Sequence, residues 1–162
     1  MVEILGARFG NASSAHSGGE AAREALARAR ASVAELLGAD AEQVVFTSSG
    51  TEANNMAMLS GVGRDGGLVT STIEHSSIVK MASHLEAQGH GVFRLDPTRS
   101  GVVTADAVAR VIAETEPALV SIQWVNSETG VIQPVEEIAA TCREAGVLFH
   151  TDAAQAAGKL PI

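Results

Sequence analysis

Four stretches of this sequence set polar side chains at the point where an apolar run ends. Val147-Leu148-Phe149-His150-Thr151-Asp152-Ala153-Ala154-Gln155 delivers a carboxylate and an amide. A carboxylate placed behind Leu148 and Phe149 is costly to desolvate unless a cation or hydrogen-bond donors meet it. A protonated ring nitrogen is one such partner, and Asp152 would keep that ring cationic and electron-withdrawing. The start of a following helix is the other. Phe46-Thr47-Ser48-Ser49-Gly50-Thr51-Glu52-Ala53-Asn54-Asn55 runs from apolar residues into hydroxyls and a glycine, then into a helix. Free N–H groups there, with the hydroxyls of Ser49 and Thr51, suit a phosphate; the same residues also make an ordinary capped turn. Glu74-His75 follows Val69-Thr70-Ser71-Thr72-Ile73 and offers a ring to stack on an aromatic ligand or to shuttle a proton, or simply a solvated loop histidine. Val125-Asn126-Ser127-Glu128-Thr129-Gly130 is a polar turn whose amide and hydroxyl are within reach of a ligand at the same level.

The elements that must position these groups alternate strand and helix, which predicts an α/β fold with a mostly parallel sheet flanked by helices. Ala22, Ala25, Leu26, Ala29, Val33, Leu36 and Leu37 recur at helical spacing over roughly Gly19 to Leu37, with Gly38 as the stop. Glu24 and Arg28 lie at i,i+4 on its polar face. Strands are expected at Val44–Thr47, Leu68–Ser71, Val92–Leu95, Ala118–Val125 and Val147–His150. Helices are expected around Ile78, Ala82 and Leu85, and around Ala107, Val108, Val111 and Ile112 behind a Thr104 cap. A last helix runs from Pro134, Glu136 and Glu137 to Arg143 and Gly146, acidic at its start and basic at its end. In such sheets ligands bind at the carboxyl ends of the strands, where all four polar stretches fall. Residues 1–162 read as a single domain.

Bulk properties narrow the partners. Apolar residues form 46% of the 162 and charged residues 19%, a folded composition. The net charge of −8 comes without a Lys/Arg cluster, so no nucleic acid and no acidic membrane surface is expected. No apolar run approaches a membrane span, and Met1–Gly6 lacks the basic start of a signal peptide. The lone Cys142 points away from disulfides and to a cytoplasmic location. It sits beside Ile138 and Ala139 as a core thiol. His16, His84, His90 and His150 show no metal-ligand spacing.

Together, and in order, the four stretches resemble the N-terminal half of the cysteine desulfurases, pyridoxal-phosphate (PLP) enzymes grouped with the class V aminotransferases. Phe9–His16 is similar to G-N-P-S-S-x-H, Phe46–Asn55 to F-T-S-G-x-T-E-x-N-N, Val125–Pro134 to V-N-N-E-x-G-x-x-Q, and His150–Pro161 to H-x-D-A-x-Q-x-x-G-K-x-P. The resemblance implies an incomplete large PLP-binding domain of a fold-type I enzyme. It also implies roles: Gly50 and Thr51 at the PLP phosphate, His75 on the pyridine ring and in proton transfer, Asp152 at the ring nitrogen, Gln155 at the phenolic oxygen. Position 127, usually a second asparagine at the cofactor, is Ser127, a shorter hydroxyl without an amide.

The activity implied is conversion of L-cysteine to L-alanine with sulfur passed to an enzyme cysteine as persulfide, feeding sulfur metabolism and iron–sulfur cluster assembly. Implied partners are a sulfur-acceptor protein and a second copy in a homodimer. The family's opening strand would precede Met1, and the S-G-H-K lysine that anchors PLP and the sulfur-accepting loop cysteine would follow Ile162. Neither Lys80 nor Lys159 stands at the anchor position. These 162 residues are therefore expected to lack turnover alone and to be marginally stable, with an aggregation-prone sheet edge. A non-catalytic relic or partner-binding segment is the alternative from another class. Within the fold, a selenocysteine lyase or another class V enzyme shares the same features.

Overall fold

The computed structural model describes residue 6, residues 10–64 and residues 66–161. Met1–Leu5, read above for a leader, and Phe9, where the first motif begins, lie outside the described residues. The chain divides into two compact units at Phe46/Thr47.

The first unit is built on α1 (Ser17–Leu37), which matches the apolar periodicity. His16 caps its start by accepting from the Gly19 N–H, and Gly38 ends it at φ 62°, a left-handed backbone that a side chain disfavours. Glu24 and Arg28 approach to 3.7 Å but both are well exposed, so the pair contributes little. A 3-10 turn at Ala41–Gln43 follows. Arg30 Nε then donates to the Val44 carbonyl at 3.0 Å, and its guanidinium lies 5.5 Å from the centre of the Phe46 ring. The strand expected at Val44–Thr47 does not form. No described segment pairs with it, and Val45 and Phe46 stay 62% and 44% exposed. A strand needs a neighbour's ladder as well as β-forming residues.

The second unit alternates helix and strand: α2 (Gly50–Val62), β1 (Leu68–Ser71), α3 (Ser76–Ala87), β2 (Val92–Leu95), α4 (Ala105–Thr115), β3 (Leu119–Ser121), α5 (Val135–Ala145), β4 (Leu148–His150). These four strands pair in parallel, in the order β2-β1-β3-β4. The expected Ala118–Val125 strand is shorter, Leu119–Ser121, although Ile122 and Trp124 still donate to the carbonyls of His150 and Asp152.

Period-two alternation divides the core into two layers. Val69 and Val120 pack with Val108, Ile112, Ile138 and Cys142 against α4 and α5. Leu68 and Leu119 pack with Met58, Val62, Ile78 and Leu85 against α2 and α3. Cys142 is fully buried, and burial pushes its thiol up to about 11, so it is an inert core group. Among the described residues no helix is long and apolar enough to cross a membrane.

After β1 the chain steps outward to β2, then returns to lay β3 on β1's other side. The loops leaving β1 and β3 therefore diverge, and the cleft between them is where such sheets take ligands.

The α2–β1 connection is tight at Gly66, where a Cβ would run into the Val62 carbonyl and the Ala118 side chain. Gly66→Ala is expected to lower unfolding free energy by about 1–3 kcal/mol, measured by urea denaturation. An unchanged midpoint would show that this loop gives way freely.

Candidate functional site

Asp152 stands just past the end of β4, half-buried, with a donor on each oxygen. The Ala154 N–H reaches Oδ1 at 3.0 Å, and Asn54 Nδ2 reaches Oδ2 at 2.8 Å. Asn54 lies on the inner stripe of α2, one turn before Met58 and two before Val62. Its other amide hydrogen goes to Ser77 Oγ at 3.0 Å, and Ser77 Oγ lies 2.8 Å from His75 Nδ1. One hydrogen-bonded chain thus ties the ends of β4, α2 and α3 together.

Gly50 and Thr51 open α2, about one turn and ~6 Å of rise before Asn54. Ser49 caps the helix by accepting from the Glu52 N–H at 3.2 Å. Glu52 folds back onto Ser48, bonding its N–H and hydroxyl, and these bonds hold its carboxyl below the usual range. The N–H groups of Gly50 and Thr51 have no acceptor among the described residues, and a Cβ at Gly50 would meet open space. That is a free pair of donors at the positive end of a helix, suited to an anion.

His75 caps α3, its Nδ1 accepting from the Ser77 N–H at 3.2 Å. It borders a cavity of about 600 Å³ whose other walls include Thr72, Ile73, Glu74, Asn126 and Ser127. Asn126 is committed to its own turn. Its Oδ1 accepts from the Glu128 and Thr129 N–H groups and the Thr129 hydroxyl, and its Nδ2 donates to the Ile73 carbonyl. Ser127 is left exposed on the cavity wall. Gln155 lies on the exposed turn after Asp152, its Oε1 accepting from Lys159 Nζ at 2.9 Å.

Of the residues read from sequence, Asp152 and His75 therefore join through Asn54 and Ser77, Gly50 and Thr51 share Asn54's helix, and Ser127 shares His75's cavity. Gln155 makes no hydrogen bond to any of them. Comparison with known proteins gives the family. The model of the family described as aminotransferase class-V matches residues 1–162. The chain belongs to the aminotransferase class-V family. A cysteine desulfurase of Cereibacter sphaeroides is 44% identical over all of this chain and 43% of its own length. The cysteine desulfurase NifS of Azotobacter vinelandii is 37% identical over all of this chain and 41% of its own. Among solved structures, SspA in complex with cysteine superposes with TM-score 0.91 at 37% identity, covering 99% of this chain and 47% of that one. The chain thus spans less than half the length of the relatives it matches.

Within this class-V fold, sequence reasoning passed over Asn54, Ser77, Glu74 and Gln123 as working groups. Asn54 carried a signal: a polar residue on the same helical stripe as Met58 and Val62 must find partners inside. Glu74, unlike the half-buried Asp152, is a buried acid. It accepts from the Ser71 hydroxyl and, at 3.0 and 3.2 Å, from the Gln123 N–H, so it pins the β1–α3 loop to the end of β3. Burial lifts it from 4.5 to about 7; the bonds from Ser71 and Gln123 pull back, and the charge of Asp152 adds to the rise. His150, bonded to Ser121 at 2.9 Å, is pushed down by burial, with Asp152 opposing.

A carboxyl whose folded value exceeds its unfolded one stabilises fully below the unfolded value and loses that contribution as pH rises through the folded value. Between 4.5 and about 7 the folded chain keeps a Glu74 proton that the unfolded chain releases. The loss at higher pH is on the order of 3 kcal/mol. Glu74→Gln should remove that component, so wild-type stability relative to the variant falls by that amount as pH climbs from 4.5 to 8. Parallel stability curves from urea melts across this window would count against the buried proton.

Proposed function

We propose that this chain is the cofactor-binding part of a PLP-dependent cysteine desulfurase, which converts L-cysteine to L-alanine and passes the sulfur to an enzyme cysteine as persulfide. One observation carries the reading: the Asn54 amide holds Asp152 beside the helix whose first N–H groups, at Gly50 and Thr51, have no acceptor among the described residues. A ring-nitrogen partner and a phosphate cradle so joined fit a pyridine ring bearing a phosphate arm. The names of the relatives, and the cysteine in the SspA structure, favour L-cysteine as substrate.

PLP, when bound, supplies an electron-withdrawing ring that stabilises a carbanion next to the substrate nitrogen. The chain's own residues do the holding. Asp152 offers a carboxylate already oriented by Ala154 and Asn54, so its charge meets a ring N–H with little reordering. Gly50 and Thr51 offer donors to the phosphate. His75 would lie against the ring and handle a proton at its free nitrogen. Ser127 supplies one short hydroxyl where the family has an amide, with room for a bridging water. Gln155 would hold the phenolic oxygen only after giving up its bond to Lys159. Lys159 is engaged with Gln155, and Lys80 lies on the exposed side of α3, so neither serves the site as an anchoring amine. The anchoring lysine, the sulfur-accepting cysteine, the homodimer mate and the sulfur-acceptor protein belong to the longer protein that the relatives represent.

The test has two arms. The chain by itself should take up PLP, weakened about 100-fold in Asp152→Ala, the scale of losing one electrostatic partner at a reacting centre, and should form no alanine from cysteine. Grafted in place of the matching 43% of the Cereibacter sphaeroides enzyme, it should restore alanine production. Alanine from the isolated chain would overturn its dependence on the remainder; a folded but inactive graft would overturn the desulfurase reading.

A further inference from the structure

The bonds around His75 fix more than its position. The Ser77 backbone N–H points at Nδ1 from 3.2 Å, and a backbone N–H only donates. That contact favours a lone pair on Nδ1 and, in the neutral ring, a proton on Nε2, but it is the longer of the two bonds that reach Nδ1. The Ser77 hydroxyl reinforces this. Its oxygen already accepts from Asn54 Nδ2, so its hydrogen turns to Nδ1, 2.8 Å away. Asn54 in turn has no freedom to flip, because a carboxylate oxygen of Asp152 accepts only from the amide nitrogen. Every donor in the chain runs one way, from Asn54 outward to Asp152 and through Ser77 to His75. Nε2 has no partner among the described residues, and His75 borders the cavity.

We infer that Asn54 and Ser77 are positioning residues that lock His75 as the Nε2–H tautomer, so that the neutral ring presents its proton at Nε2. The functional weight of this rests on the reading of His75 as the site histidine; the tautomer itself does not. The groups facing the imidazole are otherwise few: Asp152 acts through the chain just described, and Glu74, its sequence neighbour, turns its carboxyl to Ser71 and Gln123.

The experiment is a long-range proton–nitrogen spectrum of the full chain with nitrogen-15 histidine, at pH 8.5 and without cofactor. His75 should show a bare-nitrogen shift at Nδ1 and a protonated-nitrogen shift at Nε2. Ser77→Ala, which severs the link to Asn54, should move both shifts toward the averaged values of mixed tautomers. Ser77→Thr, which keeps the hydroxyl, should restore the wild-type pattern. His16, His84, His90 and His150 report in the same spectrum whether each variant is folded. A protonated Nδ1 in the wild type overturns the inference, as does a wild-type pattern in folded Ser77→Ala. If Ser77→Ala fails to fold, Ser77→Thr decides: loss of the single-tautomer pattern there, with the other histidines unmoved, also overturns it. Because no cofactor is added, failed PLP uptake by the same sample would count only against the proposed function.

Discussion

The two hydrogens on the Asn54 amide nitrogen organise this end of the molecule. One goes to Asp152 and the other to Ser77. An amide buried on the inner face of α2 has to spend both, since an unsatisfied buried donor costs about 1–3 kcal/mol. Spending both couples three elements that are far apart in sequence: α2, the start of α3 and the end of β4. The position of Asp152 relative to Gly50 and Thr51 follows from that coupling. So does the direction of the hydrogen bonds that reach His75.

The sheet explains why these groups meet at all. Parallel strands share a direction, so every strand end carrying a polar loop faces the same side. The order β2-β1-β3-β4 opens a cleft between the loops after β1 and β3, and Glu74 closes its floor by accepting from Gln123. Beneath that floor lie the two apolar layers, and the polar side chains begin at Thr70, Ser71 and Ser121, toward the ends of β1 and β3. Glu74 and Asp152 are electrostatically coupled across this boundary. Burial is the main cause of the rise at Glu74, and the charge of Asp152 is the smallest of the causes, so a cation that meets Asp152 offsets only that part.

Much of this was legible in the sequence because it depends on local chemistry. Helix α1, the Thr104 cap of α4, and the acidic start and glycine stop of α5 all follow from spacing and end residues. The polar stretches at strand ends were legible for the same reason. The strand expected at Val44–Thr47 depends on a partner, and β-forming residues alone do not supply one. Asn126 shows the same limit in the site. Its type suits a ligand, yet its oxygen and nitrogen are consumed by Thr129, Glu128 and Ile73. Asn54 and Ser77 are the reverse case: modest residues inside helical segments whose weight comes from what lies across the fold from them.

The contrast between Asn126 and its neighbours suggests how such a site is assembled. Asp152, His75 and the first turn of α2 each have one face satisfied by the protein and one left over among the described residues. Asp152 is oriented by Ala154 and Asn54 but remains half-buried, open to a further donor. His75 commits Nδ1 and leaves Nε2. The first turn of α2 commits the Ser49 oxygen to Glu52 and leaves the N–H groups of Gly50 and Thr51. A group with all its bonds made inside is rigid but chemically mute, and one with none is free but pays ordering entropy on binding. The half-satisfied state combines a fixed direction with remaining capacity. On that criterion Ser127 ranks below Asp152 and His75, because its hydroxyl is exposed and nothing in the fold sets its direction.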